Sequence, residues 1–405
     1  MTIEFEARRV VEALRSGVPS RSVGQYFSSA RPEILREITE KLEAVSETRS
    51  PGGMLVAGKY GEGKTHLLNT VFHLAHENNM VVSFVSLSKE TPFDKLYLVY
   101  QKLMNNTYLP KRAQPGLGQL FDGMTPGSPT ATEMLLYAGK HLQTDKLYFL
   151  LRSYLSTEDP DEKFMLLADL EGDFVGNAQL KQIYKRIFSQ KVSYSVNFSK
   201  TRHTADYLAF FSHLFVQLGY NGWVILFDET ELIGRLGKKA RLSAYKNMAD
   251  FLFPGKDSRL EATFSMFALG ASYAEDVIES KHEYENLAAS VLADGDRGKV
   301  ERVLDRIAAA PQLLPLTKEE IEAVVLRVQE LHGRAYGWDP RLEARDILGG
   351  TEGRGYLLRT RIRAAIELLD QLYQYGKAGS VQIDELGQAS FEEDVPALDG
   401  LLDGE

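Results

Sequence analysis

Apolar and polar positions recur along this chain with two kinds of pattern, and the switches between them mark out its elements. Ile34, Leu35, Ile38, Leu42 and Val45 fall on one helical face and predict a helix over residues 32–47. It follows another over 5–16 that Gly17, Val18 and Pro19 close. Four short apolar runs, at 54–57, 80–87, 223–227 and 263–270, are too short for typical helices and predict strands buried on both faces of a parallel sheet. Helical spacing returns at 66–76 and at 92–103, the latter opened by Pro92. From Thr317 to Glu320 the chain has the form of a capping box. A helix carrying Ile321, Val324, Val325, Val328 and Leu331 follows, then another over 355–373 with Leu358, Ile362, Ile366, Leu369 and Leu372.

Between 105 and 220 the pattern is helical, at 131–141, 146–155, 162–170, 177–188 and 204–218. A Pro/Gly-rich interval at 109–129 reads as a long exposed loop or a boundary. After Lys377 the chain is rich in Asp and Glu and reads as a disordered acidic tail.

The chain has 405 residues, room for two or three domains, and its formal net charge is -9. That charge repels nucleic acid globally, so any DNA contact has to come from a local basic surface. Two such surfaces stand out. Lys181, Lys185, Arg186, Lys191, Lys200 and Arg202 alternate with Tyr184, Phe188, Tyr194 and Phe198, and Arg235, Lys238, Lys239 and Arg241 cluster at the start of a helix predicted to run from Arg235 to Phe253. The first pattern suits phosphate gripping and base stacking, and equally an ordinary amphipathic helix with solvated lysines. The second has three readings: it faces DNA, a partner subunit or water. Cysteine is absent, which excludes disulfides and thiolate chemistry. No apolar run is long enough to cross a bilayer, and residues 1–6 lack the features of a signal peptide, so the expected address is cytoplasmic, with no membrane partner.

The chemistry gathers at the strand ends. Gly58-Lys59-Tyr60-Gly61-Glu62-Gly63-Lys64-Thr65, followed by His66, lies between a predicted strand and a predicted helix, the context a phosphate loop requires. Its glycines let backbone N–H groups turn toward phosphate oxygens at the positive end of the helix. Lys64 would reach the β- and γ-phosphates and the Thr65 hydroxyl would sit on Mg²⁺. The run from Trp223 to Phe227 ends in Asp228 and Glu229, carboxylates at the C-terminal edge of a buried strand, where α/β sheets hold ligands. Asp228 would join the Mg²⁺ shell and Glu229 would orient and deprotonate the attacking water. Glu231 either assists or caps the next helix. The two motifs lie farther apart than a minimal P-loop domain needs, so 105–220 reads as a helical insertion. The domains are then an N-terminal helical segment at 1–50, a core at 51–104 and 221–315, the insertion, a lid at 316–376 and a tail at 377–405.

These motifs, together with residues 13–19 and an Arg-rich helix ending in Ile366-Glu367-Leu368-Leu369-Asp370, resemble the P-loop ATP-binding proteins of BREX-type phage-defence loci over roughly residues 5–376. That family is similar to AAA+ ATPases of the origin-recognition type. The resemblance implies an α/β, AAA+-like P-loop NTPase with a parallel sheet core, a large helical insertion and a C-terminal helical lid. It implies ATP with Mg²⁺, hydrolysis coupled to action on DNA or a DNA-bound complex, and helicase and methyltransferase components of the same system as partners, and it leaves a homo-oligomer open. The alternative is a nucleotide-gated loader-like or signalling module with little turnover. The resemblance also suggests Val18 and Pro19 as adenine contacts, though they equally end a helix. Ser272 would place the lytic water, or cap a helix at 273–278. One of Arg297, Arg302 and Arg306 would reach a neighbour's nucleotide, and Arg359 would touch the γ-phosphate from the lid.

Overall fold

The computed structural model describes residues 3–16, 21–27, 31–121, 123–253, 259–349 and 357–377. The chain divides into two compact units, residues 32–313 and residues 1–31 with 314–405.

In the larger unit the apolar runs form the strands β1 (Gly52–Gly58), β2 (Met80–Ser86), β4 (Gly222–Asp228) and β5 (Thr263–Gly270), and Thr107–Tyr108 adds a two-residue β3. The sheet order is β1-β5-β4-β2-β3, with only β3 antiparallel. Every position of β4 is buried. The strand period explains this, because successive residues face opposite cores. Leu55, Ala57, Val81, Trp223, Ile225, Phe227 and Leu269 enter one cluster, which the helices of 96–217 and 238–308 complete. Met54, Val56, Val82, Val224, Leu226 and Met266 enter the other, beneath the helices Pro32–Thr48 and Lys64–Glu77. On the outer side of β1, Ala57 N–H donates to Pro311 O and Leu313 N–H to Ala57 O, a single parallel bridge.

Several local expectations are corrected. The helix after β2 starts at Leu96 rather than at Pro92, because Phe93 is drawn inward among Phe227, Phe251 and Phe267. The interval 109–129 is not an exposed loop: Leu109, Leu117, Leu120, Phe121 and Met124 are buried around a short helix, Gly118–Phe121. The helix predicted over 162–170 runs Pro160–Ala168, capped by Asp159, and passes into a π-helical turn, Asp169–Asp173. Its Gly172 has φ 109°, and a Cβ there would stand 2.8 Å from Gln101 Cα.

In the smaller unit the helix Ile3–Ser16 packs against Lys318–Tyr336 and Leu358–Tyr375 through Val10, Val11, Val328, Leu331, Ile366 and Leu369. The Thr317/Glu320 capping box is formed. Arg15 donates to both oxygens of Asp370 at 2.9 Å, and His332 Nε2 lies 3.0 Å from Asp370 Oδ1. Trp338 donates to His332 Nδ1 at 2.9 Å, which leaves the ring proton on Nε2, directed at Asp370.

Candidate functional site

Parallel pairing aligns the C-terminal ends of β1, β5, β4 and β2. Gly58 is opposite Gly270 and Ser86 opposite Asp228, so the loops that leave these strands share one edge. β1 ends at Gly58, where a Cβ would stand 3.1 Å from Leu313 Cβ. Lys59 and Tyr60 are exposed, Gly61 and Gly63 take left-handed φ of 82° and 90°, and the helix begins at Lys64. Only glycine adopts such φ values without steric cost. Lys64 Nζ donates to Gly58 O (2.9 Å) and Lys59 O (3.5 Å), and Lys59 N–H donates to Glu62 Oε2 at 2.7 Å. His66 is half-buried in the first helical turn.

Thr65 and Asp228 meet across 163 positions of sequence: the Thr65 hydroxyl donates to Asp228 Oδ2 at 2.7 Å. Asp228 is 5% exposed, and its other oxygen accepts the Glu229 N–H at 3.0 Å. Glu229 itself has φ 55°, uncommon for a residue with a side chain, and opens the 3₁₀ turn Thr230–Arg235. Removal from water raises its carboxyl above the ordinary carboxylate range, Glu231 and Asp228 add to the shift, and Lys64 and Arg235 oppose it. Glu231 Oε2 is buried and has no hydrogen-bond partner among the described residues. The Thr65 hydroxyl and the nearly buried Asp228 carboxylate are oxygen donors of the kind that suits Mg²⁺, an ion that keeps several waters and takes few protein ligands.

Ser272, exposed just past β5, donates its hydroxyl to Asp276 Oδ2 (2.5 Å), and the turn that follows, Ala274–Glu279, has no side chain accepting from its first amides. Arg359 is half-buried in the first turn of Leu358–Tyr375, in the smaller unit. Val18 and Pro19 lie outside the described residues. Arg297 donates to Ser290 O, Arg302 stacks over Phe253 at 4.9 Å, and Arg306 is exposed.

The two basic surfaces fare differently. In the first, the rings are engaged by neighbouring cations and by burial: Tyr184 is buried, and Phe188, Tyr194 and Phe198 lie 4.4, 4.6 and 4.4 Å from Arg152, Lys181 and Lys146. Arg186 pairs with Glu162. In the second, Arg241 turns inward to Glu283 and Leu236 O, while Arg235, Lys238 and Lys239 stay exposed. The helix here starts at Lys238, not at Arg235.

Sequence reasoning passed over the field of Arg235 on Glu229 and the bond from Lys59 to Glu62. Only the proximity of Glu62 within the motif could have signalled the latter.

Residues 4–125 and 150–383 match the model of the family described as BREX system ATP-binding protein BrxC/D. No curated protein and no solved structure matches the chain.

Proposed function

Because this chain belongs to the BREX system ATP-binding protein family BrxC/D, an assignment that makes ATP its ligand, we propose that it is an Mg²⁺-dependent ATPase of AAA+ type that couples hydrolysis to action on DNA or on a DNA-bound complex in BREX defence. The observation that carries the reading is the 2.7 Å contact between Thr65 and Asp228, which unites the phosphate loop with the acid-bearing strand. The insertion of β5 between β1 and β4 supports the AAA+ assignment.

The amides of the glycine loop bind the phosphates, and Lys64 leaves its backbone carbonyls to meet the γ-phosphate. Thr65 and Asp228 would hold Mg²⁺, which would supply positive charge against that of the triphosphate. Glu229 orients the attacking water and takes its proton, a task suited to a carboxyl whose proton affinity is raised. Among the described residues no helix is long and apolar enough to cross a membrane. The proposed setting is the cytoplasm, with helicase and methyltransferase components as partners and the exposed Arg235, Lys238 and Lys239 as one local basic surface for DNA.

Steady-state hydrolysis tests the reading. Glu229→Gln is expected to keep ATP while turnover falls by roughly 10²–10⁴, the usual contribution of a positioned base, whereas Lys64→Ala weakens binding itself. Equal rates for wild type and Glu229→Gln would remove Glu229 from the mechanism, and assembly on ATP without turnover in the wild type would favour the nucleotide-gated alternative.

A further inference from the structure

The phosphate loop carries an anion of its own. Glu62 Oε2 accepts the Lys59 N–H at 2.7 Å, and the Glu62 N–H donates back to Lys59 O at 3.3 Å. A Cβ at Gly58 would stand 3.4 Å from that same carboxylate oxygen and 3.4 Å from Lys64 Cγ. The carboxylate, the first glycine of the motif and the stem of its lysine therefore crowd one small space. Lys64 Nζ meanwhile points at the Gly58 and Lys59 carbonyls.

A glycine loop of this kind at a helix N-terminus is an electropositive cradle, and the ligand it favours is anionic. In this chain one of the loop's own amides already donates to a carboxylate, a charge-assisted bond of the stronger class. The side chain is tethered within the motif, so its charge stays beside any bound triphosphate. Like charges that close repel, and the half-buried position of Glu62 limits how far solvent screens them.

We propose that Glu62 is a built-in counter-anion of the phosphate loop, which weakens the hold on nucleotide and speeds its release, so that this residue sets the exchange rate of the site. The inference rests on the reading of residues 58–65 as the nucleotide site. It gives Glu62 a tuning role, distinct from the chemistry assigned to Glu229. A like-charge contact in a largely solvated setting corresponds to about three- to tenfold in affinity.

Binding of ATP to the full-length protein, measured by calorimetry and by stopped-flow release of a fluorescent ATP analogue, tests this. Glu62→Gln keeps an acceptor for the Lys59 N–H and removes the charge, and Glu62→Ala removes both. Glu62→Gln is expected to bind ATP about three- to tenfold more tightly than wild type, mostly through slower release. The gain should shrink at high salt and be largest without Mg²⁺, when the triphosphate bears its full charge. A Glu62→Gln protein that binds ATP no more tightly than wild type overturns the proposal, and weakening confined to Glu62→Ala would then make the carboxylate a structural brace. Lys64→Ala binding ATP as tightly as wild type would be a different failure, one that removes the nucleotide from this loop altogether.

Discussion

Replacing Thr65 by valine removes one hydroxyl and almost no volume, and the structure fixes what that should cost. The hydroxyl donates to Asp228 Oδ2 at 2.7 Å, and Asp228 is only 5% exposed. Its other oxygen has the Glu229 amide, so the substitution leaves half of a nearly buried carboxylate without a donor. A hydrogen bond to a charged group contributes about 1.5–3 kcal/mol, which in a unit of this size corresponds to a fall in melting temperature of roughly 3–10 °C. Thermal denaturation of wild type, Thr65→Val and Thr65→Ser reads this directly, and Thr65→Ser should lie close to wild type. Repeating the melts with ATP, with and without Mg²⁺, separates two roles of the same hydroxyl. ATP alone should stabilise all three proteins through the loop amides and Lys64, whereas the further increment from Mg²⁺ should be largely lost in Thr65→Val. If Thr65→Val melted with wild type and gained as much from Mg²⁺, both the contact between this helix and β4 and the assignment of Thr65 to the metal would be refuted.

Two further predictions concern elements away from the nucleotide. Lys146 and Asp169 are both 0% exposed and bonded at 2.5 Å, with Tyr207 donating to the same carboxylate, and burial pushes the Lys146 pKa down and the Asp169 pKa up. Lys146→Met should therefore cost about 3–5 kcal/mol in urea unfolding by stranding Asp169, and the pair Lys146→Met with Asp169→Leu should cost clearly less, a cycle that fails if the two losses simply add. Burial pushes the Asp370 carboxyl up, but hydrogen bonding from His332 and the charge of Arg15 outweigh it and hold it below the ordinary value. A depressed carboxyl contributes stability that is present above its unfolded pKa, about 3.9, and lost as pH falls through the lower folded value. Melts between pH 6 and 3 should accordingly show a steeper acid loss in wild type than in Asp370→Asn, and parallel curves would contradict the network.

What the sequence made readable was whatever depended on local pattern. The run from Trp223 to Asp228 announced a buried strand because its apolar residues are contiguous and end in acids, and Thr317 with Glu320 announced a helix start because the capping box is closed within four residues. What failed depended on distant partners. Pro92 promised a helix start, but Phe93 gains more from three rings on two other strands and a helix than from joining that helix. Arg241 looked like one of four surface cations until folding brought Glu283 to it from 42 positions away. The pairing of Lys146 with Asp169 had no signal at all, since neither residue type at its spacing forecasts burial. In the candidate site the pattern named Thr65 and Asp228, but not the short bond between them, nor the use of Glu62 inside its own loop.

The register of β2 against β4 explains how the core accommodates so long an excursion. β2 and β4 are adjacent parallel strands, with Met80 opposite Gly222 and Ser86 opposite Asp228, so any connection between them has to cross over from the end of one to the start of the other. A single helix would suffice. Here the crossover instead leaves through the edge strand Thr107–Tyr108 and returns through the helix Lys200–Gln217. Loop-closure entropy rises only with the logarithm of length, so a crossover several times longer than the minimum costs about 2 kcal/mol more. The segment between β2 and β4 offsets that through its own packing: Leu147, Leu150, Leu166, Leu180, Tyr207 and Phe211 are buried in the same cluster as Trp223, Ile225 and Phe227 on one face of the sheet. Length added there leaves the register of β4 untouched, and the register is what brings Asp228 to Thr65. The site therefore depends on strand pairing and on one hydroxyl, not on how far apart in sequence its two motifs lie.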